Sequence, residues 1–340
     1  MTMLANADQL KIPIVFSANN NYVPYMSTAM QSIMENANQG RQYIFYILHQ
    51  EITEKNITLL RDQVSSFVPF AIEFINVAPY ISNYNLFISR HITVEAYFRL
   101  LIPGLLPQYP KVIYMDGDMV CITDISSLYD INVENYLIAA VRDIGISWYY
   151  NPNHSKSMKF FHTVLLNSKK PEEYFCSALM IFNIGLFCKT ITTEKLFELA
   201  VSREWQVHDQ DVLNIVSEGK TLLIPYYWNF MSTPDAKYLP DHLKKEYDEA
   251  EKNPKIIHYK PWDQYFYTLY FEYFWKYATR TPFISTIVER MNVKNLISDS
   301  HLALHNIIID NITHRKGIGI RFILFDCIKA WLFRDKCKLQ

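Results

Sequence analysis

The sequence predicts an α/β fold built on a mostly parallel central sheet with helices on both faces. Three observations carry this. Short apolar runs rich in β-branched and aromatic residues alternate with helix-type segments through the first half of the 340 residues. Half of the residues are hydrophobic and 20% are charged, a globular composition with ample material for a core. The length suits one large α/β domain with an appendage.

Residues 12–18 form the first strand-type run, and Pro24 fits the opening turn of a helix over 25–36. Residues 43–48 read as the second strand. Thr53 is placed to cap a helix over 54–65. Residues 71–77 alternate like a third strand, 93–101 look helical up to Pro103, and 111–115 and 137–141 continue the strand series. In the second half, 178–184, 222–224 and 255–258 are strand-like. Residues 208–216 are helical with acids in the first turn, and helical patterning dominates from Trp262 onward. The expected division is a catalytic domain over 1–265 and a helical region over 266–340.

Composition excludes several classes. Net charge is −1, which disfavours a nucleic-acid binder. Only eight glycines occur where average usage gives ~24, and none builds GxGxxG or GxxxxGK[ST]. Five cysteines, an odd number with no CxxC, argue against a zinc ribbon or disulfide framework and for reduced thiols in the cytoplasm. The first 16 residues lack a basic n-region, so no secretory signal is expected. The last 30 residues carry seven Lys/Arg against two Asp. Their apolar stretch is broken by charges, so they read as a peripheral contact with an anionic membrane or as a packed helix.

The chemistry starts at Asp116-Gly117-Asp118, which follows the apolar run Val112-Ile113-Tyr114-Met115. In a parallel sheet, ligands sit beyond the carboxyl ends of the strands. Two carboxylates delivered there call for a divalent cation, and oxygen ligands favour Mg²⁺ or Mn²⁺. A solvated turn is the plain alternative. Asp116-Gly117-Asp118-Met119-Val120 also fits the D-x-D-x-[TV] pattern of haloacid-dehalogenase phosphatases, where Asp116 would be the nucleophile. Further along, Asn19, Asn21 and Tyr22 follow the first strand, Asp209-Gln210-Asp211 open a helix, and His258 and Lys260 stand at a strand end. Each has a bland reading as turn, cap or core residue.

Together, five ordered segments resemble glycosyltransferase family 8: IPIVFSANNNYVPYMSTAMQSI, TVEAYFRLLIPGLLPQYPKVIYMDGDMVCITDISSLYD, YFCSALMIFNIGLF, HDQDVLN and IIHYKPW. The resemblance covers residues 12–265. It implies a GT-A fold, a UDP-glucose or UDP-galactose donor, Mn²⁺ or Mg²⁺, and a retaining hexose transfer. The bacterial branch implies a lipopolysaccharide or other cell-surface glycan as acceptor, at the cytoplasmic face of the inner membrane. Residue by residue, Asp116, Asp118 and His258 match the metal ligands, with Gly117 between the acids. Lys260 and Arg99 match positions near the diphosphate, and Asn19 and Asn21, beside Tyr22, match uridine-binding positions. Asp143, Asp209 and Gln210 match residues around the transferred sugar. Cys176-Ser177-Ala178 stands where the family usually has Asn-[SA]-Gly, so Cys176 and Ser177 are expected beside the donor. One residue, Tyr259, separates His258 from Lys260, where the family often has several. A UDP-sugar-binding module without turnover is the non-enzyme alternative.

Overall fold

The computed structural model describes residues 11–88, 93–259 and 269–290. A seven-stranded sheet forms the centre, in the order β3-β2-β1-β4-β7-β6-β8. Its strands are β1 (Lys11–Ser17), β2 (Gln42–His49), β3 (Phe70–Asn76), β4 (Lys111–Met115), β6 (Ile138–Arg142), β7 (Phe175–Asn183) and β8 (Thr221–Ile224). Only β7 runs against its neighbours, antiparallel to both β4 and β6. The pairs β1–β2, β1–β4, β2–β3 and β6–β8 are parallel. Alternation along each strand sends side chains to two cores, one per face. Ile14, Phe16, Phe45, Ile113 and Ile181 face one. Val15, Tyr46, Val112, Met180 and Phe182 face the other.

Helices cover both faces: α1 (Val23–Asn36), α2 (Glu54–Ser65), α3 (Ser155–Phe160), α4 (Thr193–Val201), α5 (His208–Ser217), α6 (Asp241–Lys252), α7 (Phe271–Ala278) and α8 (Ile284–Arg290). Pro24 sits in the first turn of α1, and the Thr53 hydroxyl accepts the Asn56 N–H at 3.4 Å to cap α2. The chain over 93–101 departs from the expected α-helix. Val94–Leu101 is a 3₁₀-helix, whose three-residue turn sets Arg99 over the Ala96 carbonyl, with Nε donating at 2.9 Å. Pro103 then opens a short helical turn instead of ending one, because the N–H it lacks has no partner there. The strand expected over 178–184 starts three residues earlier and stops at Asn183, whose side chain caps the next helix by accepting the Leu186 N–H.

A second, two-stranded sheet pairs β5 (Met119–Cys121) antiparallel with β9 (Ile256–His258). The strand expected at 255–258 therefore lies outside the main sheet. A third apolar cluster joins this small sheet to α1 and α7 through Tyr25, Val120, Ile257, Phe274 and Tyr277. The described part of the C-terminal region thus packs directly on the helix that follows β1. Lys260, Pro261 and the basic tail over 311–340 lie outside the described residues. Among the described residues no helix is long and apolar enough to cross a membrane.

One buried histidine makes stability depend on pH. His162 packs against the rings of Tyr174, Phe161 and Tyr149. Burial pushes its imidazole down to about 4, with Asp143 acting weakly the other way. The unfolded chain takes up that proton near pH 6.5, the native state only near 4. Native stability is therefore complete above about pH 6.5 and falls on acidification toward pH 4, by up to about 3 kcal/mol from this group. His162→Phe is expected to flatten that loss. Chemical denaturation of both proteins at pH 7 and pH 4.5 checks it, and parallel pH profiles would refute it.

Candidate functional site

The carboxyl ends of β1, β4 and β6 and the N-terminal end of β7 lie on one edge of the sheet. The reversal of β7 is what brings Cys176 and Ser177 to the edge reached by Asp116. Pairing sets the register: Met115 lies opposite Leu179, and the Asp116 N–H donates to the Ala178 carbonyl at 2.8 Å. A cleft opens there. Its walls include Asn19, Tyr22, Arg99, Asp116, Gly117, Asp118, Cys176, Ser177, Asp209 and Gln210.

Gly117 is required by space. A Cβ at this position would lie 3.1 Å from the Met26 Cβ and 3.3 Å from its Cα, so a side chain would push β4 and α1 apart. This close approach, rather than a special turn, holds the acidic pair against the first helix.

Arg99 is the electrostatic centre of the cleft floor. Its Nη2 donates to the Asp116 Oδ1 at 3.0 Å, and its Nε lies 3.1 Å from the Asp209 Oδ2. Nη1 donates to the Ser177 carbonyl at 2.6 Å and to the Ser177 Oγ at 2.9 Å. The guanidinium lies over the Tyr114 ring, 4.3 Å from its centroid, while the Tyr114 hydroxyl donates to the Asp116 Oδ1 at 2.7 Å. Burial alone would favour a neutral guanidine, yet Asp116 and Asp209 hold it protonated. Burial also pushes the Asp209 carboxyl up to about 6, against the pull of Arg99. Arg99 is thus spent on joining two carboxylates to β7.

Gln210 is held at both ends. Its Oε1 accepts the Ser177 N–H at 2.9 Å. Its Nε2 donates to the Asp143 Oδ2 at 2.8 Å and to the Tyr174 hydroxyl at 3.1 Å. The Tyr174 hydroxyl donates onward to the Asp211 Oδ1 at 2.6 Å. The acids of this segment divide their roles. Asp211 serves the helix start, accepting the Val207 N–H at 2.8 Å, whereas Asp209 and Gln210 face the cleft.

His258 reaches the acidic pair through the small sheet. Met119 pairs with His258, and the Tyr259 N–H donates to the Asp118 carbonyl at 3.0 Å. The buried imidazole places Nε2 at 3.4 Å from the Asp118 Oδ1. On its other side, Nδ1 lies 3.0 Å from the Asn229 Oδ1. A carboxamide oxygen only accepts, so Nδ1 donates to it and Nε2 is the ring atom turned toward Asp118. Ligand atoms of Asp116, Asp118 and His258 all fall within 4.8 Å of one another, a spread that one divalent ion spans.

Not every expected residue meets in the cleft. Asn19 lines it, but its Oδ1 is used as a turn acceptor for the Asn21 and Tyr22 N–H groups at 3.0 and 3.1 Å. Asn21 is exposed and is held by Arg290 of α8. Asp143 stands behind Gln210. Tyr114, Tyr174 and Asn229 were not singled out from sequence. Tyr114 was the readable one, since it lies two residues before Asp116 and so shares its face of the strand. Asn229 follows a Tyr-Trp pair with no marker of a role. It is delivered by the bridge between Phe230 and Ile257, whose ends are the His258 N–H to Phe230 carbonyl bond and the Phe230 N–H to Ile256 carbonyl bond.

A protein-family model, Glycosyl transferase family 8, matches residues 13–265. General stress protein A of Bacillus subtilis (strain 168) is 29% identical over 264 residues, 74% of this chain and 87% of that protein. The lipopolysaccharide 1,2-glucosyltransferase of Escherichia coli (strain K12) is 27% identical over 177 residues, 50% of this chain and 49% of that one. Among solved structures, the galactosyltransferase LgtC in complex with donor and acceptor sugar analogs superposes with a TM-score of 0.63 at 20% identity. That match covers 80% of this chain and 96% of that one, and it establishes a shared GT-A fold.

Proposed function

The chain belongs to glycosyl transferase family 8 and is a hexosyltransferase, and on that premise we propose that it moves glucose or galactose from a UDP-sugar to a hydroxyl of a lipopolysaccharide core or another cell-surface glycan, with retention. The convergence of Asp116, Asp118 and His258 carries this reading. The donor set of two carboxylates and an imidazole fits Mn²⁺, with Mg²⁺ as the other choice. When bound, that ion would neutralise the diphosphate and stabilise it as a leaving group. The Escherichia coli relative supports the acceptor class, and the proposed place of action is the cytoplasmic face of the inner membrane.

The protein groups divide the remaining tasks. Asn19 and Tyr22 border the end of the cleft after β1, where the nucleoside is expected, and Asn21 contacts it only if the Arg290 contact is released. Arg99 fixes Asp116 and Asp209 before substrate arrives, a preorganised arrangement of charge. Cys176 and Ser177 line the wall beside Asp209. Lys260 follows β9 by two residues and is proposed to meet the diphosphate. Gln210 has its oxygen engaged by Ser177 and its nitrogen by Asp143 and Tyr174. A carboxamide bound at both ends is poorly suited to attack a sugar, which supports same-face attack with the departing phosphate oxygen as base. A phosphatase nucleophile at Asp116 is disfavoured for a similar reason, because its Oδ1 already accepts from Arg99 and Tyr114.

Slow UDP release from each common UDP-hexose, with Mn²⁺ and without acceptor, tests the proposal. One of UDP-glucose and UDP-galactose is expected to turn over. UDP binding with no release from any donor would favour the binding-module alternative, and phosphate release from simple phosphoesters would favour the phosphatase. A positioning role for Asn229 follows from the same geometry. Asn229→Leu leaves the His258 Nδ1–H without its acceptor and is expected to weaken Mn²⁺ binding about 10–100-fold, whereas Asn229→Asp restores an acceptor and the affinity. The paramagnetic signal of free Mn²⁺ reads this without any turnover. Equal affinity in all three proteins would remove Asn229 from the site.

A further inference from the structure

The chain between β6 and β7 makes a long excursion whose two ends meet at the cleft. Asp143 at its start and Tyr174 at its end both accept from the Gln210 Nε2. Within it lie a short helix, Ile146–Tyr150, then α3, then a π-turn over Phe161–Leu165. Phe161 and His162 point inward and are buried. The opposite face of the same helical run presents Lys156, Lys159, Phe160, Thr163 and Val164, one to two turns apart. Phe160, Val164 and Leu165 are 54%, 60% and 43% exposed, and Trp148 of the preceding helix is 45% exposed.

A water-facing side this apolar is unusual unless something covers it. Charge identifies the cover. Residues 144–171 contain four lysines and no aspartate or glutamate, in a protein of net charge −1. Lys156 and Lys159 form no ion pair among the described residues, and Lys159 lies over the Tyr149 ring. Large apolar side chains set among unpaired lysines match the boundary between anionic headgroups and acyl chains.

We propose that the outer face of this excursion, centred on Lys156, Phe160 and Val164, docks on an anionic lipid bilayer and seats the cleft beside it. In sequence this segment is separate from the basic C-terminal stretch. It deepens the lipid-linked acceptor reading and rests on it for its purpose, since both ends of the excursion are tied to Gln210. An acceptor anchored in that bilayer would then be presented at the cleft edge.

Cosedimentation of the full chain with vesicles rich in phosphatidylglycerol, against pure phosphatidylcholine, tests the docking without donor or acceptor. The wild type is expected to bind the anionic vesicles preferentially. The double variant K156E/K159E should lose on the order of tenfold in affinity. The double variant F160S/V164S should lose a comparable amount, since it removes the apolar anchor. These side chains are exposed and lie outside the catalytic machinery, so UDP release and far-ultraviolet circular dichroism should match the wild type in both. Wild-type vesicle affinity in both variants would overturn the proposal and assign any binding to another surface. So would unchanged vesicle binding with a raised KM for a soluble glycan acceptor, which would assign the face to the acceptor. Loss of UDP release in the wild type, by contrast, would overturn the transferase reading and leave the vesicle result standing.

Discussion

Arg99→Met is expected to unfold about 10 °C below the wild type and to lose turnover. Arg99 is 5% exposed, and its guanidinium bridges Asp116, Asp209 and both Ser177 oxygens. Removing it leaves two carboxylates facing each other across a low-dielectric floor with no countercharge. Breaking a buried pair by deleting one partner costs about 3–5 kcal/mol, and each kcal/mol is worth about 2–4 °C in a domain of this class. Lysine should rescue little, because a point charge cannot span two carboxylates and a backbone carbonyl at once. Added Mn²⁺ should recover part of the loss by neutralising Asp116. Thermal scans with and without the ion, beside UDP release, check all three statements. A wild-type unfolding temperature in Arg99→Met would mean that the carboxylates find other partners and that Arg99 does not organise the floor.

Asp118→Asn should separate function from stability in the opposite sense. The carboxylate oxygen stands 3.4 Å from the His258 Nε2 and close to the Asp116 carboxylate. An asparagine keeps the shape and removes one of two clustered negative charges, so the metal-free protein should be about as stable as the wild type. Metal-dependent UDP release should nonetheless fall by about 100-fold or more, a cost of several kcal/mol in transition-state stabilisation. Saturating Mn²⁺ raises wild-type stability by about 2.7 kcal/mol at a hundredfold excess over Kd, and this increment should vanish in the variant. Calorimetry with and without Mn²⁺ gives both numbers. Full metal-dependent turnover in Asp118→Asn would rule out Asp118 as a ligand.

Periodicity and punctuation made most of the frame readable. Alternating apolar runs marked β1, β2, β3, β4 and β6 to within a residue or two, and Pro24 and Thr53 marked the helix starts. Asp116 and Asp118 were readable because carboxylates directly after a buried strand have no packing reason to be there. The 3₁₀ form of 94–101 was not readable, since a single short segment carries too little periodicity to tell three residues per turn from 3.6. The strand–helix order made the mostly parallel sheet readable, but not the reversal of β7, because alternation looks the same in both senses. Local sequence could not place Asn229 or Tyr174, whose roles exist only through partners distant in the chain.

The sequence by itself determined which residue types the cleft can hold and in which order they occur, because side-chain chemistry and strand period are local properties. Tertiary structure alone decided that β7 turns back to bring Ser177 to Arg99, and that β9 leaves the main sheet to lay His258 beside Asp118. It also spent Arg99 and Gln210 on partners within the protein. Those outcomes depend on strand pairing and on how buried charges are neutralised, and both are settled only when segments far apart in the chain compete for the same hydrogen bonds.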